Sequence, residues 1–176
     1  MKFGRYLERI EELAFLGCEC LERITIPLKD GLIAADSIFM RCDSLAHVDF
    51  VGGELHQFIA ALQLDGWRDD MNREIDSINP ILPHAPAGGW DDDGNEDHGQ
   101  KAIVIRVWIR AILGIIDHYE AQHQHILDEA ATMLQVALPR DIVMNNVLPF
   151  LALPSHTFEV EDQDMEENDI VHDEGV

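Results

Sequence analysis

The chain has 176 residues, 47% of them hydrophobic, and a formal net charge of −22. That length suits one compact domain or a small repeat block with an accessory element, and that apolar content argues against wholesale disorder. Acidity on this scale argues against binding a phosphate backbone, which needs clustered Lys and Arg to release counterions.

The charge is concentrated. Asp91, Asp92, Asp93, Glu96 and Asp97 form one run, and Glu159, Glu161, Asp162, Asp164, Glu166, Glu167, Asp169, Asp173 and Glu174 form another, with no Lys or Arg among residues 159–176. Without these 14 acids, 20 remain against 12 bases, which is an ordinary soluble surface. Three cysteines, Cys18, Cys20 and Cys42, make an odd and sparse set, unlike a disulfide framework. No apolar run approaches the roughly 20 residues of a transmembrane helix. The first ten residues lack the uninterrupted apolar stretch of a secretory signal. The expected setting is cytoplasmic, with the nucleus as the alternative, and neither membrane nor nucleic acid is expected as a partner.

Residues 1–14 are ambiguous. Leu7-Glu-Arg-Ile10 echoes Leu21-Glu-Arg-Ile24 at a spacing of 14, which fits a shortened repeat or an amphipathic helix with Leu7, Ile10 and Ala14 inward. The helix is the preferred expectation. Residues 15–53 carry a clear self-match: Phe15, Cys18 and Leu21 recur as Phe39, Cys42 and Leu45 at a spacing of 24, followed by Ile24 and Ile26 against Val48 and Phe50. Each copy predicts a short strand whose alternate residues face inward, with Pro27 ending the first and Lys29-Asp30-Gly31 supplying a turn. Gly52-Gly53 closes the second copy. Two repeats are fewer than the roughly three a stack usually needs, so something must cover its open end.

The rest reads as helical. Residues 54–64 put Leu55, Phe58, Ile59 and Leu62 on one stripe, and residues 66–79 do the same with Trp67, Met71, Ile75 and Ile78 before Asn79-Pro80. Residues 83–100, rich in Pro, Gly and Asp, read as an exposed acidic linker. From Lys101 to Leu138 there is no Pro, and apolar residues recur near the helical period at Val104, Val107, Trp108, Ala111, Ile115, Tyr119, Ile126, Ala130, Met133 and Ala137. This predicts one long helix, with the polar stretch His118–His125 as the place where it bends or leaves the core. A last short helix is expected over about 140–152, and disorder after about residue 160.

With those residues in view, the chain resembles a BspA-type leucine-rich-repeat protein. The repeat form Ala-Phe-x-x-Cys-x-x-Leu-x-x-Ile-x-Ile-Pro stands here as Ala14-Phe15-Leu-Gly-Cys18-Glu-Cys-Leu21-Glu-Arg-Ile24-Thr-Ile26-Pro27. The second copy has Ile38 in place of the Ala and Val51 in place of the Pro. The match covers about residues 13–53. The stretch from Val48 through Trp67 to Trp108-Ile109 and Leu148-Pro-Phe-Leu also resembles the helical C-terminal part of multi-repeat members. The resemblance implies a solenoid used for protein–protein contact, with no family-wide catalytic site.

Local constellations have plain readings. Cys18 and Cys42 share one repeat position and suit small buried corners better than a zinc site, which wants four N/S ligands. On a helix His125 and Glu129 share a face, as do Glu120 and His123, but His118 and His123 do not, so a solvated face outweighs a metal site. In Asp91-Asp-Asp93-Gly94-Asn95-Glu96-Asp97, a calcium loop centred on Gly94 would put Gly89 and Gln100 at key ligand positions, and both fail. Residues 138–151, Leu-Pro-Arg-Asp-Ile through Leu-Pro-Phe-Leu, resemble the opening helix of an F-box. No Gly-x-Ser-x-Gly motif, phosphate loop or dinucleotide fingerprint is present, so the chain is not expected to be an enzyme or to hold a cofactor.

The expected fold is α+β: a short leucine-rich-repeat solenoid with two short parallel strands, capped by a mainly α-helical C-terminal region with one long helix. The expected division is a repeat remnant over 1–53, a helical region over 54–158 and an acidic tail over 159–176, with the whole a C-terminal piece of something longer. The expected role is protein binding through Glu22, Arg23, Thr25, Ala46, His47 and Asp49. The alternative is an F-box-like adaptor that contacts a ubiquitin-ligase subunit through Pro139, Ile142, Val143 and Leu148. Neither the protein partner nor the oligomeric state is specified by the sequence.

Overall fold

A computed structural model describes residues 1–51, 54–90 and 92–153. The expected disordered tail 159–176, and the Gly52-Gly53 closure, lie outside the described residues.

The two repeat copies each place a four-residue strand directly after Leu-x, at Leu21-Glu22 and Leu45-Ala46. Strand β1 is Arg23–Ile26 and β2 is His47–Phe50, and they pair in parallel with Arg23 opposite His47, Ile24 opposite Val48, Thr25 opposite Asp49 and Ile26 opposite Phe50. Because side chains alternate along a strand, this register sends Ile24, Ile26 and Val48 into the core. The chain between the strands returns through a 3-10 turn, Asp36–Phe39, whose Ile38 and Phe39 are also buried.

Residues 1–14 form no helix. They make a further turn of chain laid on the first, with parallel bridges Lys2 to Thr25 and Ile10 to Ile33. The ladder is explicit: Phe3 N–H donates to the Thr25 carbonyl at 3.0 Å, and Thr25 N–H to the Met1 carbonyl at 2.9 Å. Further along, Ile10 N–H donates to Leu32 O at 2.7 Å and Phe15 N–H to Ile38 O at 3.1 Å. The helical spacing of Leu7, Ile10 and Ala14 loses to these long-range bonds, which satisfy backbone groups a helix would have satisfied locally. Phe15 stacks on Phe39 with centroids 5.3 Å apart and planes 4° from parallel, and Phe3 meets Phe15 edge-on at 5.8 Å. Residues 1–22 are hereafter the first coil and residues 23–46 the second.

Helices follow. Helix α1 is Glu54–Ala61 and α2 is Asp65–Asp76, ending three residues before the expected stop at Asn79. The segment 83–100 is mostly exposed, as expected, but it is not without structure. It holds a buried Ala87 and a small antiparallel pair, β3 (Gly89–Trp90) with β4 (Glu96–Asp97). Its base is tight: a Cβ on Gly88, where φ is +75°, would lie 2.1 Å from the Asp97 carbonyl oxygen.

Helix α3, Lys101–Leu134, has 34 residues, about 51 Å at ~1.5 Å per residue. Its buried stripe is Ala102, Ile105, Trp108, Ile109, Ile112, Ile116, Tyr119, His123, Leu127 and Ala131. The expected stripe is therefore rotated: Val107, Ile126 and Met133 are exposed. Nor does the polar stretch leave the core, since Tyr119 and His123 are both inward. The expected terminal helix is three short turns, α4 (Arg140–Ile142), a π turn over Val143–Val147 and a 3-10 turn over Leu148–Phe150. One apolar cluster runs from Ile10 through Val48 and Leu55 to Tyr119, joining the stacked turns to the helices.

No helix among the described residues is long and apolar enough to cross a membrane. The fold is mixed α and β, with a two-strand parallel sheet and one long helix, as the sequence predicts at that level.

Candidate functional site

The strand surface opposite the core is built by alternation alone. With Ile24, Ile26 and Val48 inward, Arg23 and Thr25 of β1 and His47 and Asp49 of β2 project outward, roughly 4.8 Å apart across the ladder. Arg23 and His47 are exposed, and Thr25 and Asp49 are half-buried. Glu22 is exposed and Ala46 half-buried at the entry to the strands. The Glu22 carbonyl accepts from Ala46 N–H at 3.0 Å and His47 N–H at 3.1 Å, which fixes that entry. Arg23, Thr25, His47 and Asp49 thus share one strand face, with Glu22 and Ala46 at its entry.

Its electrostatics are mixed. Arg23 Nη1 stands 3.3 Å from Asp49 Oδ2, a diagonal ion pair between strands with the Arg23 side chain well exposed and the Asp49 side chain partly so. Such a pair contributes little to stability, on the order of 0–1 kcal/mol, so it is available to a partner. Lys2, bridged to Thr25, extends the row by one position. That residue was missed by sequence reasoning, although Met1-Lys-Phe3 repeats the apolar–polar–apolar order of Ile24-Thr-Ile26 at a spacing of 23. Arg41 also flanks the entry. It donates to Glu19 Oε1 at 3.1 Å and holds a positive φ of 59°, at the repeat position where the first coil has Gly17 at φ 70°.

The surface is held from behind by α3. Lys101, 1% exposed, donates Nζ to the Leu45 carbonyl at 2.6 Å and the Leu82 carbonyl at 3.1 Å. Burial lowers its pKa, and the nearby Asp43 carboxylate opposes that shift. Arg106 donates Nε to the Ile33 carbonyl at 3.1 Å and Nη2 to Asp36 at 2.7 Å, and Arg110 reaches Asp30 at 3.2 Å. Phe50, at the end of β2, stacks on Trp108 at 4.4 Å. These contacts cover the strand pair and the turn between its strands.

The cysteines sit as corner residues. Cys42 is fully buried, donates Sγ to the Phe15 carbonyl at 3.0 Å, and is pushed up to about 11 by burial. Cys18 is half-buried and Cys20 exposed, and all three are free thiols. The histidines of α3 divide. His125 Nδ1 lies 3.8 Å from Glu129 on an exposed face, where His118, Gln122 and Ile126 line a shallow hollow with it. His123 is inward, donates Nε2–H to the Leu151 carbonyl at 2.6 Å, and meets Trp67 edge-on. Trp67 stacks on Tyr119, whose hydroxyl donates to Asp70 at 3.1 Å. Among the described residues no three His, Cys, Asp or Glu are grouped to hold a metal ion.

In the segment 138–151, Val143 is 0% exposed and packed inward, Leu148 is half-buried, and Pro139 and Ile142 are exposed. Phe150, at 85% exposure, points away from the core.

No family model, no curated protein and no solved structure matches the chain.

Proposed function

We propose that the chain is a non-catalytic protein-binding scaffold of the leucine-rich-repeat type, akin to the BspA-like proteins it resembles. Its partner would meet the strand face of Glu22, Arg23, Thr25, Ala46, His47 and Asp49 in the cytoplasm. The observation that carries this reading is the parallel register. It lines up Arg23 with His47 and Thr25 with Asp49 on the surface opposite the buried Ile24, Ile26 and Val48. A surface made of short side-by-side strands, with both charge signs and a rigid backbone, suits recognition of another protein more than turnover of a small substrate.

The second reading is an F-box-like adaptor working through residues 138–151. Exposure of Pro139 and Ile142 supports it, and the burial of Val143 weighs against it. A proximity-labelling comparison separates the two. Loss of labelled partners on Arg23→Glu with Asp49→Arg, with circular dichroism unchanged, supports the strand face. Loss on Ile142→Asp supports the adaptor. If neither change removes a partner, both assignments fail.

A further inference from the structure

An open hollow of about 320 Å³ is lined by Arg9, Gly31, Ile33, Ala34, Arg106 and Arg110. Its walls come from three parts of the chain. The first coil brings Arg9, because the neighbouring Ile10 bridges Ile33 and its carbonyl accepts from Ala34 N–H at 3.3 Å. The turn after β1 brings Gly31, which leaves that wall without a side chain. Helix α3 brings Arg106 and Arg110, four residues apart and so on one helix face. The hollow straddles both coils and α3, so its shape is set by contacts inside the chain.

Three of the twelve Lys and Arg residues meet here, in a chain of net charge −22, and each guanidinium is held through its Nε. Arg9 Nε stands 3.0 Å from a Glu11 carboxylate oxygen, and Arg110 Nε donates to Asp30 at 3.2 Å. Arg106 is fixed twice, by Nε to the Ile33 carbonyl at 3.1 Å and by Nη2 to Asp36 at 2.7 Å. Among the described residues, the Nη groups of Arg9 and Arg110 and the Nη1 of Arg106 make no hydrogen bond. The Arg9 and Arg110 pairs are exposed and contribute little to stability, so Glu11 and Asp30 give way to a stronger acceptor.

We infer that this hollow binds a phosphoryl group, either free phosphate or a phosphorylated side chain. A phosphoryl dianion brings three acceptor oxygens and a charge of about −1.5 to −2, which suits three guanidiniums with donors to spare. A carboxylate has two oxygens and a single charge, and the hollow already has carboxylates at its rim. The long-range field of an acidic chain opposes any anion, so recognition rests on short contacts and the affinity is on the order of millimolar. Arg106, pinned by two bonds, is preordered for the ligand.

The inference goes beyond the strand-face reading and does not depend on it. It is tested by titrating the full chain with inorganic phosphate at constant ionic strength, followed by amide-resolved NMR, with acetate as the comparison. Saturable shifts are expected at Gly31, Ala34, Arg106 and Arg110 with phosphate and not with acetate. Arg9→Met and Arg110→Met, at exposed positions that leave the fold intact, are each expected to weaken binding about tenfold, the loss of one charge-assisted hydrogen bond. Asp30→Asn is expected to tighten it, because a competing acceptor is removed. Arg73→Met removes the same charge from α2 and is expected to leave it unchanged. A glycine peptide with one central phosphoserine separates the two sources. Tighter binding than phosphate assigns the hollow to a phosphorylated partner, equal or weaker binding assigns it to the free ion, and either supports the inference. Three results overturn it: no saturable shift, acetate binding as tight as phosphate, or phosphate binding that survives loss of Arg9 and Arg110.

Discussion

The stacking of the first coil on the second is open to a direct energetic test at Phe15 and Phe39. These are the same repeat position in successive coils, 7% and 1% exposed, with rings 5.3 Å apart and nearly parallel. Substituting either by Leu keeps more than half of the buried apolar surface. Each single change is therefore expected to lower stability by about 1–2 kcal/mol, less than the ~3–5 kcal/mol of truncation to Ala. The ring–ring contact adds a coupling term. Once one ring is gone, losing the other removes no stacking, so the double variant should be about 0.5–1.5 kcal/mol more stable than the sum of the singles predicts. Urea unfolding of the four proteins, fitted with a common m-value, measures this. Phe3→Leu combined with Phe39→Leu is the control, because Phe3 touches Phe15 rather than being paired with Phe39. Additivity of Phe15→Leu and Phe39→Leu within about 0.3 kcal/mol would refute the argument that the coils bury their repeated aromatic positions on each other.

Three further outcomes are expected. Lys101→Met leaves the buried Leu45 and Leu82 carbonyls without their donor at about 1–3 kcal/mol each, partly offset by no longer burying an ammonium group; a net loss of about 2 kcal/mol is expected in thermal unfolding, and a raised Tm would show that the burial penalty dominates. The Cys42 thiol titrates near 9.0 when unfolded and near 11 when folded, so the folded state holds its proton longer and stability falls as pH rises from about 9 to 11. Cys42→Ala should remove most of that fall, about 3 kcal/mol, measured as the difference between the two stability–pH curves, while Lys101, with its pKa lowered by burial, makes stability rise with pH and so opposes the fall. Gly88→Ala drives a methyl into the Asp97 carbonyl, so the β3–β4 pair should be lost, seen as faster amide exchange over residues 88–99 with the strand face unaffected.

Much was legible where the controlling forces are local. The spacing of Phe15 and Phe39, Cys18 and Cys42, Leu21 and Leu45 announced two equivalent turns of chain, and the alternation Ile24-Thr25-Ile26 announced which strand residues point outward. The proline-free stretch after Gln100 announced one long helix. Side-chain period along the chain is enough for each of these.

The tertiary structure decided the rest. Helix α3 is apolar nearly all round from Ala102 to Ile116, so its period could not choose a face; contact with Phe50 and α2 turned Ile105, Ile109 and Ile112 inward and left Val107 outside. Residues 1–14 had a helical spacing, but the open carbonyls of Thr25 and Leu32 offered the N–H groups of Phe3 and Ile10 partners only a folded chain can present. Lys101 and Arg106 gave no signal at all in the sequence, because the carbonyls they reach, at Leu45 and Ile33, lie 56 and 73 residues away. The sequence by itself determined what repeats and which strand face is wet. Only packing decided that α3 covers the strand pair, because a backbone group left open by one segment is satisfied by whichever distant group the fold brings to it.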